Sequence, residues 1–313
     1  MHLPKISVRI ITYNQENLIG RAIDSLLRQK EFIYEIIISD DCSTDRTWLV
    51  IQDYFKKYPK LIKPYRNSKN LGIFGNIESG WDKITGDLIF DLSGDDEFCD
   101  GLFERTLSCL AMQNINFQND AFAVYCDFKE IRPNGKTIIF TNRMLKKDID
   151  PISLKIRGLI VNRTVGYSRT ILESLKPVDK NIGIYADGLL DMQIQQYAKK
   201  NYYFSFVGSI YYAGIGISSV TQRKEHINSI ILFREKQKKA IENISKEDAQ
   251  WLDYVICYNK LLLNPSIKLY LRYTLLLIQI LKIKYGLRFV IREIKKYSKY
   301  HYNFIKRIFL QKK

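Results

Sequence analysis

The amino-acid sequence predicts an α/β protein with a mostly parallel central sheet, flanked by helices and followed by a helical, basic C-terminal extension. Over the first hundred residues, short apolar runs alternate with segments of helical periodicity, which is typical of parallel βαβ units. Polar residues directly follow three of these runs. Residues 265–313 carry thirteen basic residues against one acid, a net charge of +12 within a chain of net charge +16.

Apolar periodicity marks the elements of the first hundred residues. The predicted order is a strand at 5–12, a helix at 18–29, a strand at 34–39, a helix up to about 58, a strand at 62–66, a helix at 74–84 and a strand at 88–90. Pro64 places the third strand at the edge of the sheet, because proline has no backbone N–H to donate to a neighbouring strand. We expect residues 1–100 to form one half of a domain that extends to residue 220.

Three of the predicted strands end in polar groups, namely Thr12-Tyr13-Asn14, Asp40-Asp41 and Asp95-Asp96. In a parallel sheet these ends lie on one edge and can converge on a single ligand. An aromatic ring, an acceptor carboxylate and a pair of metal-binding carboxylates suit a nucleoside diphosphate with Mg²⁺ or Mn²⁺. There is no glycine-rich phosphate loop of the GxGxxG or GxxxxGK[ST] type. The alternatives are a solvated turn for Asp95-Asp96 and a plain helix cap for one of Asp40 and Asp41.

Taken in order, these stretches resemble the family 2 inverting glycosyltransferases of the GT-A fold. The resemblance rests on residues 6–14, 35–45, 70–72 and 94–96, and it is strongest over residues 5–100. It implies a Rossmann-like GT-A domain that binds a nucleotide-sugar donor, usually UDP-linked. Ser93 stands where many members of the family have the first acid of an Asp-x-Asp-Asp run.

The resemblance also implies roles for individual residues. Thr12, Tyr13 and Asp41 would hold the nucleotide base, with Asn14 beside them. Asp95 and Asp96 would contact the ribose and the divalent cation bound to the diphosphate. Relatives often have Tyr-Arg or Tyr-His where this chain has Tyr212-Ala213, so a phosphate-facing cation would come from elsewhere, such as Arg223 or Lys224.

Residues 101–220 form the predicted acceptor half, in which Asp187 is the candidate catalytic base. Asp187 precedes an amphipathic helix that contains Leu189, Leu190 and Ile194. By its sequence position alone it could serve as a helix N-cap, but an acid before a helix at this place is similar to the base of the family. Inverting transfer needs one carboxylate to deprotonate the acceptor hydroxyl on the face opposite the leaving diphosphate. Asp191, one helical turn further on, is the second candidate for that base.

Residues 221–313 form the basic C-terminal region. Its apolar core at 275–281 is too short to span a bilayer, and helices with apolar and basic faces lie on anionic membranes instead. The alternative is a helical pair with a solvated basic face. No nucleic-acid-reading motif accompanies the charge, so we do not expect nucleic acid as a partner. Five cysteines without a CxxC pair and the lack of a signal-peptide pattern at residues 1–6 predict a cytoplasmic protein, peripheral on the inner face of the cell membrane.

We therefore expect a metal-dependent glycosyltransferase that acts on a glycan or polyprenyl-linked acceptor in bacterial surface polysaccharide synthesis, such as capsule or O-antigen. One rival is a sugar-1-phosphate nucleotidyltransferase, which would need a glycine-rich basic loop where this chain has Tyr13-Asn14-Gln15-Glu16. The other is a non-enzymatic basic module that binds membranes or nucleic acid. It gives no reason for carboxylates at several strand ends.

Overall fold

A computed structural model of the chain describes residues 3–141, 165–177, 186–215, 223–240, 244–264 and 266–281. The strands are β1 (Ile6–Thr12), β2 (Ile33–Asp40), β3 (Ile62–Arg66), β4 (Leu88–Ser93), β5 (Glu97–Phe98), β6 (Phe122–Ile131), β7 (Thr137–Phe140), β8 (Val165–Ser168) and β9 (Lys200–Tyr212). The α-helices are α1 (Ile19–Leu27), α2 (Thr47–Lys57), α3 (Gly72–Glu78), α4 (Leu102–Ala111), α5 (Arg169–Ser174), α6 (Ala186–Tyr197), α7 (Arg223–Ala240), α8 (Lys246–Leu263) and α9 (Ile267–Leu281).

One mixed sheet runs through the first part of the chain, in the order β3-β2-β1-β4-β8-β6-β9-β5, with β7 paired to β6. The first four strands are parallel to one another, as the sequence predicts. Strand β8 enters antiparallel between β4 and β6, and β5 pairs antiparallel with β9. The predicted α/β fold is confirmed, with the parallel set confined mainly to the half that carries the polar strand ends.

Helices cover both faces of this sheet. On one face, α1, α2 and α4 bury apolar residues such as Ile23, Ile51 and Phe103 against the strands. On the other, Ile77 of α3, Ile171 of α5 and residues of α6 pack against β4, β6 and β8. Because both faces are covered, the central strands are mainly apolar and largely buried. This is the usual pattern of a doubly covered parallel sheet.

Two local features of the chain depend on glycine. The turn at residues 133–135 joins β6 to β7 as a hairpin, and Gly135 adopts the positive φ of 76° that the turn requires. The helix predicted at 74–84 is wrong in its extent. It ends at Glu78, and a short 3₁₀ turn follows at Trp81–Lys83. Between them, Gly80 lets the Tyr65 hydroxyl approach so closely that a Cβ there would lie 2.1 Å from it.

The chain divides into two compact units at residues 221 and 222. In the second unit α8 packs against both α7 and α9. Trp251, Tyr254 and Tyr273 are buried together, with ring centroids 5.5 Å apart for the first pair and 5.2 Å for the second. Lys238 pairs with Asp253 at 2.7 Å, and Lys260 pairs with Glu235 at 2.6 Å. Among the described residues, no helix combines the length and the apolar character needed to cross a membrane.

Candidate active site

The three polar strand ends meet at one edge of the sheet. The register pairs Thr12 with Asp40 on one side of β1 and Ile11 with Ser93 on the other. The loops after β1, β2 and β4 therefore leave the sheet side by side. This is the location at which open α/β sheets bind ligands. The convergence expected from the sequence is present in the structure.

The loop after β1 is built by contacts with the loop after β2. Thr12 is buried and donates through its hydroxyl to Gln15 Oε1 at 2.7 Å. Asn14 has a positive φ of 51°, which asparagine tolerates better than most residues. Its backbone N–H donates to Ser43 Oγ at 2.9 Å, and its Oδ1 accepts from the Thr44 N–H at 2.8 Å. Asn14 thus connects the two loops. The half-buried Tyr13 lies between Thr12 and Asn14 in the sequence.

Asp40 and Asp41 are both buried but have different partners. Asp40 accepts hydrogen bonds from the Ser43 hydroxyl and the Ser43 N–H, and Arg66 pairs with it at 3.0 Å. Burial raises the pKa of the Asp40 carboxyl, and these partners oppose that effect. The Arg66 guanidinium also lies 6.0 Å from the ring of Trp48. Asp40 therefore belongs to the internal structure of the loop.

Asp41 instead accepts from the Asn67 side chain at 2.9 Å and from the Leu71 N–H at 2.8 Å, both through Oδ1. The helix-cap alternative for one of the two acids is wrong, because neither accepts from the first turn of α2. That position is served by Asp45, whose carboxylate accepts from the Thr47 N–H at 2.9 Å. Asp41 is thus oriented by the residues just before α3.

Asp95 and Asp96 lie in the turn between β4 and β5, and both are half-buried. The Asp96 N–H donates to the Ser93 carbonyl at 3.1 Å, and Asp96 Oδ1 accepts from the Tyr212 N–H at 3.3 Å. The preceding Gly94 packs against the β1 loop so closely that a Cβ would lie 2.4 Å from Gln15 Oε1 and 2.9 Å from Thr12 Oγ1. Glycine at this position therefore allows the acidic turn and the Thr12 loop to touch.

Arg21 is a site residue that the sequence analysis missed. From α1 it donates to the Asp95 carbonyl at 2.5 Å and pairs with Glu97 at 3.3 Å. Its guanidinium stacks 3.6 Å from the centroid of the Tyr212 ring, and the Tyr212 hydroxyl donates to Glu97 at 2.5 Å. Burial and the Glu97 hydrogen bond raise the pKa of Tyr212 to about 12. The only local indication in the sequence is that Arg21 is a polar residue of an amphipathic helix. Any solvent-facing arginine would show the same pattern.

The cations proposed from the sequence, Arg223 and Lys224, are on helix α7. Lys224 is exposed in α7, and Arg223 opens the same helix, with its side chain outside what the structure describes. Both belong to the second compact unit. Within the first unit, Arg21 lies directly against Tyr212.

A cavity of about 140 Å³ lies between α6 and the sheet. Its lining includes Ser93 and Asp96 from the acidic turn, Asp191 and Leu190 from α6, and Ser209 from β9. Arg9, Asp91 and Tyr167 also line it. The fully buried Arg9 pairs with Asp91 at 2.8 Å, and the Tyr167 hydroxyl donates to Asp91 at 2.9 Å. Burial, together with the Asp91 carboxylate, raises the pKa of Tyr167, so this hydroxyl remains a donor at neutral pH.

Asp187 is the second residue of α6, and its side chain lies outside what the structure describes. Asp191 is on the same helix, one turn later, and lines the cavity together with Asp96. The structure thus brings Asp191 and Asp96 to one cavity. It places Asp187 at the start of the helix that covers that cavity.

The acidic turn offers donors that suit a hard divalent cation. No group of three or more His, Cys, Asp or Glu side chains that could hold a metal is present in the described parts of the chain. Mg²⁺ characteristically takes one or two carboxylates and completes its shell with substrate phosphates and water. Asp95 and Asp96 fit a cation that arrives with a diphosphate, and they do not fit a closed all-protein site.

The sequence was compared with models of known protein families. The model of glycosyl transferase family 2 matches residues 7–175, which is more than half of the chain and contains all three polar strand ends. The chain belongs to glycosyl transferase family 2. The resemblance seen in the sequence motifs is thereby confirmed at the level of the family.

Curated relatives match parts of the chain. An uncharacterised glycosyltransferase of Nostoc sp. is 30% identical over 193 residues, covering 59% of this chain and 58% of the relative. The GalNAc(5)-diNAcBac-PP-undecaprenol beta-1,3-glucosyltransferase of Campylobacter jejuni is 34% identical over 99 residues, or 32% of each chain. An uncharacterised protein of Mycobacterium tuberculosis is 37% identical over 98 residues, covering 31% of this chain and 28% of the relative. The matches therefore span from about a quarter to somewhat over half of these relatives.

Solved structures of glycosyltransferases share the GT-A fold with this chain. TarS 1–349 of S. aureus in complex with UDP-GlcNAc aligns over 88% of this chain and 80% of its own, with a TM-score of 0.61 and 17% identity. The mannosyltransferase PcManGT of Pyrobaculum calidifontis, in complex with GDP-Man and Mn²⁺, aligns over 99% and 85% with a TM-score of 0.58 and 13% identity. At these identities the likeness establishes the fold.

Proposed function

We propose that this family 2 glycosyltransferase transfers a sugar from a UDP-linked donor to an acceptor hydroxyl with inversion at the anomeric carbon. The observation that carries the proposal is the convergence of the Thr12, Asp41 and Asp95-Asp96 loops at one edge of the sheet. TarS, which shares the fold, is seen with UDP-GlcNAc and with UDP. PcManGT is seen with GDP-Man and Mn²⁺.

The nucleoside would bind across the first two loops. Asp41 is buried and oriented through one oxygen by Asn67 and Leu71, which favours a fixed acceptor for a base N–H. Tyr13 offers an aromatic face beside it, and Thr12 and Asn14 hold the loop that carries Tyr13. A preformed arrangement of this kind lowers the ordering cost of binding.

The diphosphate would lie at the acidic turn. Asp95 and Asp96 would hold Mg²⁺ or Mn²⁺, which when bound supplies positive charge to the leaving nucleoside diphosphate. Arg21 supplies a second positive charge beside the same turn. This charge belongs to the chain itself and does not depend on the bound cation.

Asp187 is the proposed catalytic base. The acceptor hydroxyl loses its proton to the Asp187 carboxylate while its oxygen attacks the anomeric carbon, and the bond from that carbon to the diphosphate oxygen breaks on the opposite face. Asp191 lines the cavity on the same helix and would orient the sugar hydroxyls. Segments remote from each other in sequence thus divide the tasks, since α6 serves the acceptor and the transferred sugar, and the acidic turn serves the leaving group.

A glycan or polyprenyl-linked acceptor in the assembly of a bacterial surface polysaccharide, such as capsule or O-antigen, is the proposed physiological substrate. The Campylobacter jejuni relative is named for an acceptor attached to PP-undecaprenol, which supports this class. A membrane-linked acceptor also agrees with the proposed cytoplasmic location, peripheral on the inner face of the membrane. The nucleotidyltransferase alternative lacks support, because the β1 loop carries Asn14, Gln15 and Glu16 in place of a glycine-rich basic run.

Thermal-shift measurements with UDP, GDP and CMP, each with and without Mn²⁺, test the donor class. We expect UDP with Mn²⁺ to raise the melting temperature most, because the proposed donor is UDP-linked and binds with a divalent cation. A ligand present at about 100 times its Kd stabilises the folded protein by about 2.7 kcal/mol. Asp41→Asn should reduce the UDP shift, while Asp53→Asn, at an exposed position in α2, is the matched control. If Mn²⁺ gives no added stabilisation with any nucleotide, the metal-dependent mechanism is refuted.

Replacing Asp187 with Asn tests the assignment of the base. We expect transfer to fall by about 10²–10⁴-fold, the usual contribution of general base catalysis, while the UDP-dependent thermal shift stays unchanged. Asp191→Asn is the comparison on the same helix and should alter KM for the donor sugar more than kcat. Retained transfer by Asp187→Asn together with loss by Asp191→Asn would move the base to Asp191.

A further inference from the structure

Helix α9 exposes a continuous apolar stripe. Ile267, Leu271, Leu275 and Ile278 are 67%, 58%, 62% and 48% exposed. They recur at intervals of three or four residues, so they lie on one side of the helix over its length. We call these four side chains the α9 stripe. Single exposed aliphatic residues are ordinary on protein surfaces, but an aligned row of four is typical of a surface that meets an apolar partner.

The α9 stripe is distinct from the side of α9 that packs within the second unit. Tyr273 and Leu277 are buried, with the Tyr273 ring against Tyr254 and its hydroxyl 3.2 Å from the Tyr254 hydroxyl. Cys257 donates to the Leu269 carbonyl at 3.5 Å. The helix already has one buried apolar side against α8. Packing of α9 on α8 therefore does not explain the exposed stripe.

The charged residues of α9 itself are all basic. Lys268 and Arg272 are exposed and lie beside the α9 stripe on the helix surface, and α9 contains no acidic residue. Residues 265–313 as a whole carry thirteen basic residues and one acid. Apolar side chains bordered by Lys and Arg are the combination that binds the interface of an anionic bilayer, where the hydrocarbon enters and the charges meet the headgroups.

The described part of α9 favours a helix that lies in the membrane plane. Its exposed apolar side chains share one side and are bordered by basic residues, while Tyr273 and Leu277 on the other side are buried. The long stems of Lys268 and Arg272 would reach the headgroups from such a position. Nucleic acid is a poorer match, because aliphatic side chains offer neither stacking nor hydrogen bonds to bases.

We propose that the α9 stripe docks the protein on an anionic lipid surface, with Ile267, Leu271, Leu275 and Ile278 entering the interface and Lys268 and Arg272 contacting lipid phosphates. This proposal is independent of the transferase activity, because it concerns the second unit and requires neither donor nor metal. A second copy of the chain is the competing occupant of the stripe. The experiment below separates the two.

The full chain is sedimented with vesicles of phosphatidylcholine alone and with vesicles that contain one third phosphatidylglycerol. We expect binding to the anionic vesicles only. The double variant Leu271→Gln/Leu275→Gln should reduce the partition coefficient by about tenfold or more, since each buried methylene contributes about 0.8 kcal/mol and tenfold corresponds to 1.4 kcal/mol. Lys268→Gln/Arg272→Gln should reduce it by about tenfold at low salt.

The matched control is Leu49→Gln/Met112→Gln, which removes two apolar side chains that are 52% and 76% exposed in the first unit. It should bind the vesicles like the unaltered chain. All variants must keep the UDP-dependent thermal shift, so that a failure of folding or of the transferase assignment is told apart from a failure of docking. Equal binding by the stripe variant and the control overturns the proposal. So does light scattering that shows a dimer which only the stripe variant dissociates, with no vesicle binding by the unaltered chain.

Discussion

At the scale of single residues, Gly94 is a point of contact between two loops of the candidate active site. A Cβ there would come within 3.0 Å of Thr12 and Gln15 atoms, so we predict that Gly94→Ala displaces the Thr12 loop. The expected result is a loss of about 1–3 kcal/mol of stability, typical of overpacking, and a weaker UDP-dependent thermal shift. Gly20→Ala in α1 is the control, because its Cβ would meet only the Tyr54 side chain, at 3.3 Å. An unchanged UDP affinity in Gly94→Ala would contradict the close packing.

Glu35 is a fully buried carboxylate on β2 that links neighbouring parts of the sheet. It accepts from Ser7 Oγ at 2.6 Å and from the Thr85 N–H at 2.6 Å, and it pairs with Lys63. Although desolvation on burial acts to raise its pKa, the hydrogen bonds from Lys63, Ser7 and Thr85 outweigh that effect and hold the pKa of Glu35 below its ordinary value of 4.5. Its charged form therefore stabilises the fold above about pH 4.5. This contribution is lost as the pH falls through the lowered pKa.

We predict that Glu35→Gln destabilises the protein at pH 7 by about 1–3 kcal/mol, because the buried donors lose a charged acceptor. The deficit should shrink as the pH falls below 4.5, where the carboxylate of the unaltered protein becomes protonated as well. Urea unfolding at pH 7, 5 and 3.5 measures the difference in unfolding free energy between the variant and the unaltered protein. Glu31→Gln, at an exposed position nearby, is the control and should show no such pH dependence. A deficit of equal size at every pH would refute the electrostatic account.

The sequence predicted the loops that meet at the site, because strand ends and polar residues are local signals. It could not show which groups donate to the carboxylates of Asp40 and Asp41, because Arg66, Asn67 and Leu71 come from a later part of the chain. Arg21 was missed for the same reason. Its partners, Asp95, Glu97 and Tyr212, lie far along the chain. Side-chain pairings across such separations leave no periodic trace in one sequence.

At the scale of secondary-structure elements, the pair Arg9–Asp91 joins β1 and β4 and extends to β8 and α3. Asp91 also accepts from Tyr167 of β8, and Arg9 donates to the Ile77 carbonyl of α3 at 2.9 Å. The fully buried guanidinium of Arg9 and its partners connect four elements at the wall of the cavity. The pair therefore acts as a connection among elements as well as a local ion pair.

We predict that Arg9→Met destabilises the protein by about 3 kcal/mol, the low end for breaking a buried pair, because Asp91 is 31% exposed and keeps some water. Asp91→Asn retains the Tyr167 hydrogen bond but leaves the fully buried Arg9 charge without its carboxylate, so it should cost more, up to about 5 kcal/mol. The double variant should be more stable than the sum of the two losses predicts, by about 1–2 kcal/mol. Urea unfolding of the four proteins in this cycle measures the coupling. Strict additivity would mean that the two side chains do not stabilise each other.

The first four strands could be predicted in kind and in position, since each is an apolar run with a helix after it. The antiparallel entry of β8 between β4 and β6 could not. Its residues Gly166 and Tyr167 pair with β4 across more than seventy positions, and Gly166 fits because a Cβ there would lie 2.7 Å from the Phe90 ring. Sheet order at this range depends on packing, which short-range periodicity does not encode.

At the scale of the whole molecule, the charge is divided unequally along the chain. Residues 265–313 carry +12 of the total +16. We predict that binding to anionic vesicles falls steeply as NaCl rises from 0.05 to 0.5 M, because the Debye length at 0.1 M is only about 10 Å. Vesicle sedimentation across this salt series measures it, and the far-ultraviolet circular dichroism of the same samples checks that the fold is constant. Salt-independent binding would show that the basic residues do not contribute.

Each of the two compact units contains its own tryptophan, whose fluorescence can report on that unit. Of the three tryptophans, Trp48 and Trp81 belong to the first unit, and Trp251 is buried with Tyr254 in the second. Replacing Trp48 and Trp81 with Phe leaves an emission signal that reports only on the aromatic cluster of the second unit, while Trp251→Phe leaves the signals of the first. The molecule thus allows the melting of its catalytic and basic parts to be followed separately in one intact chain, without any attached label.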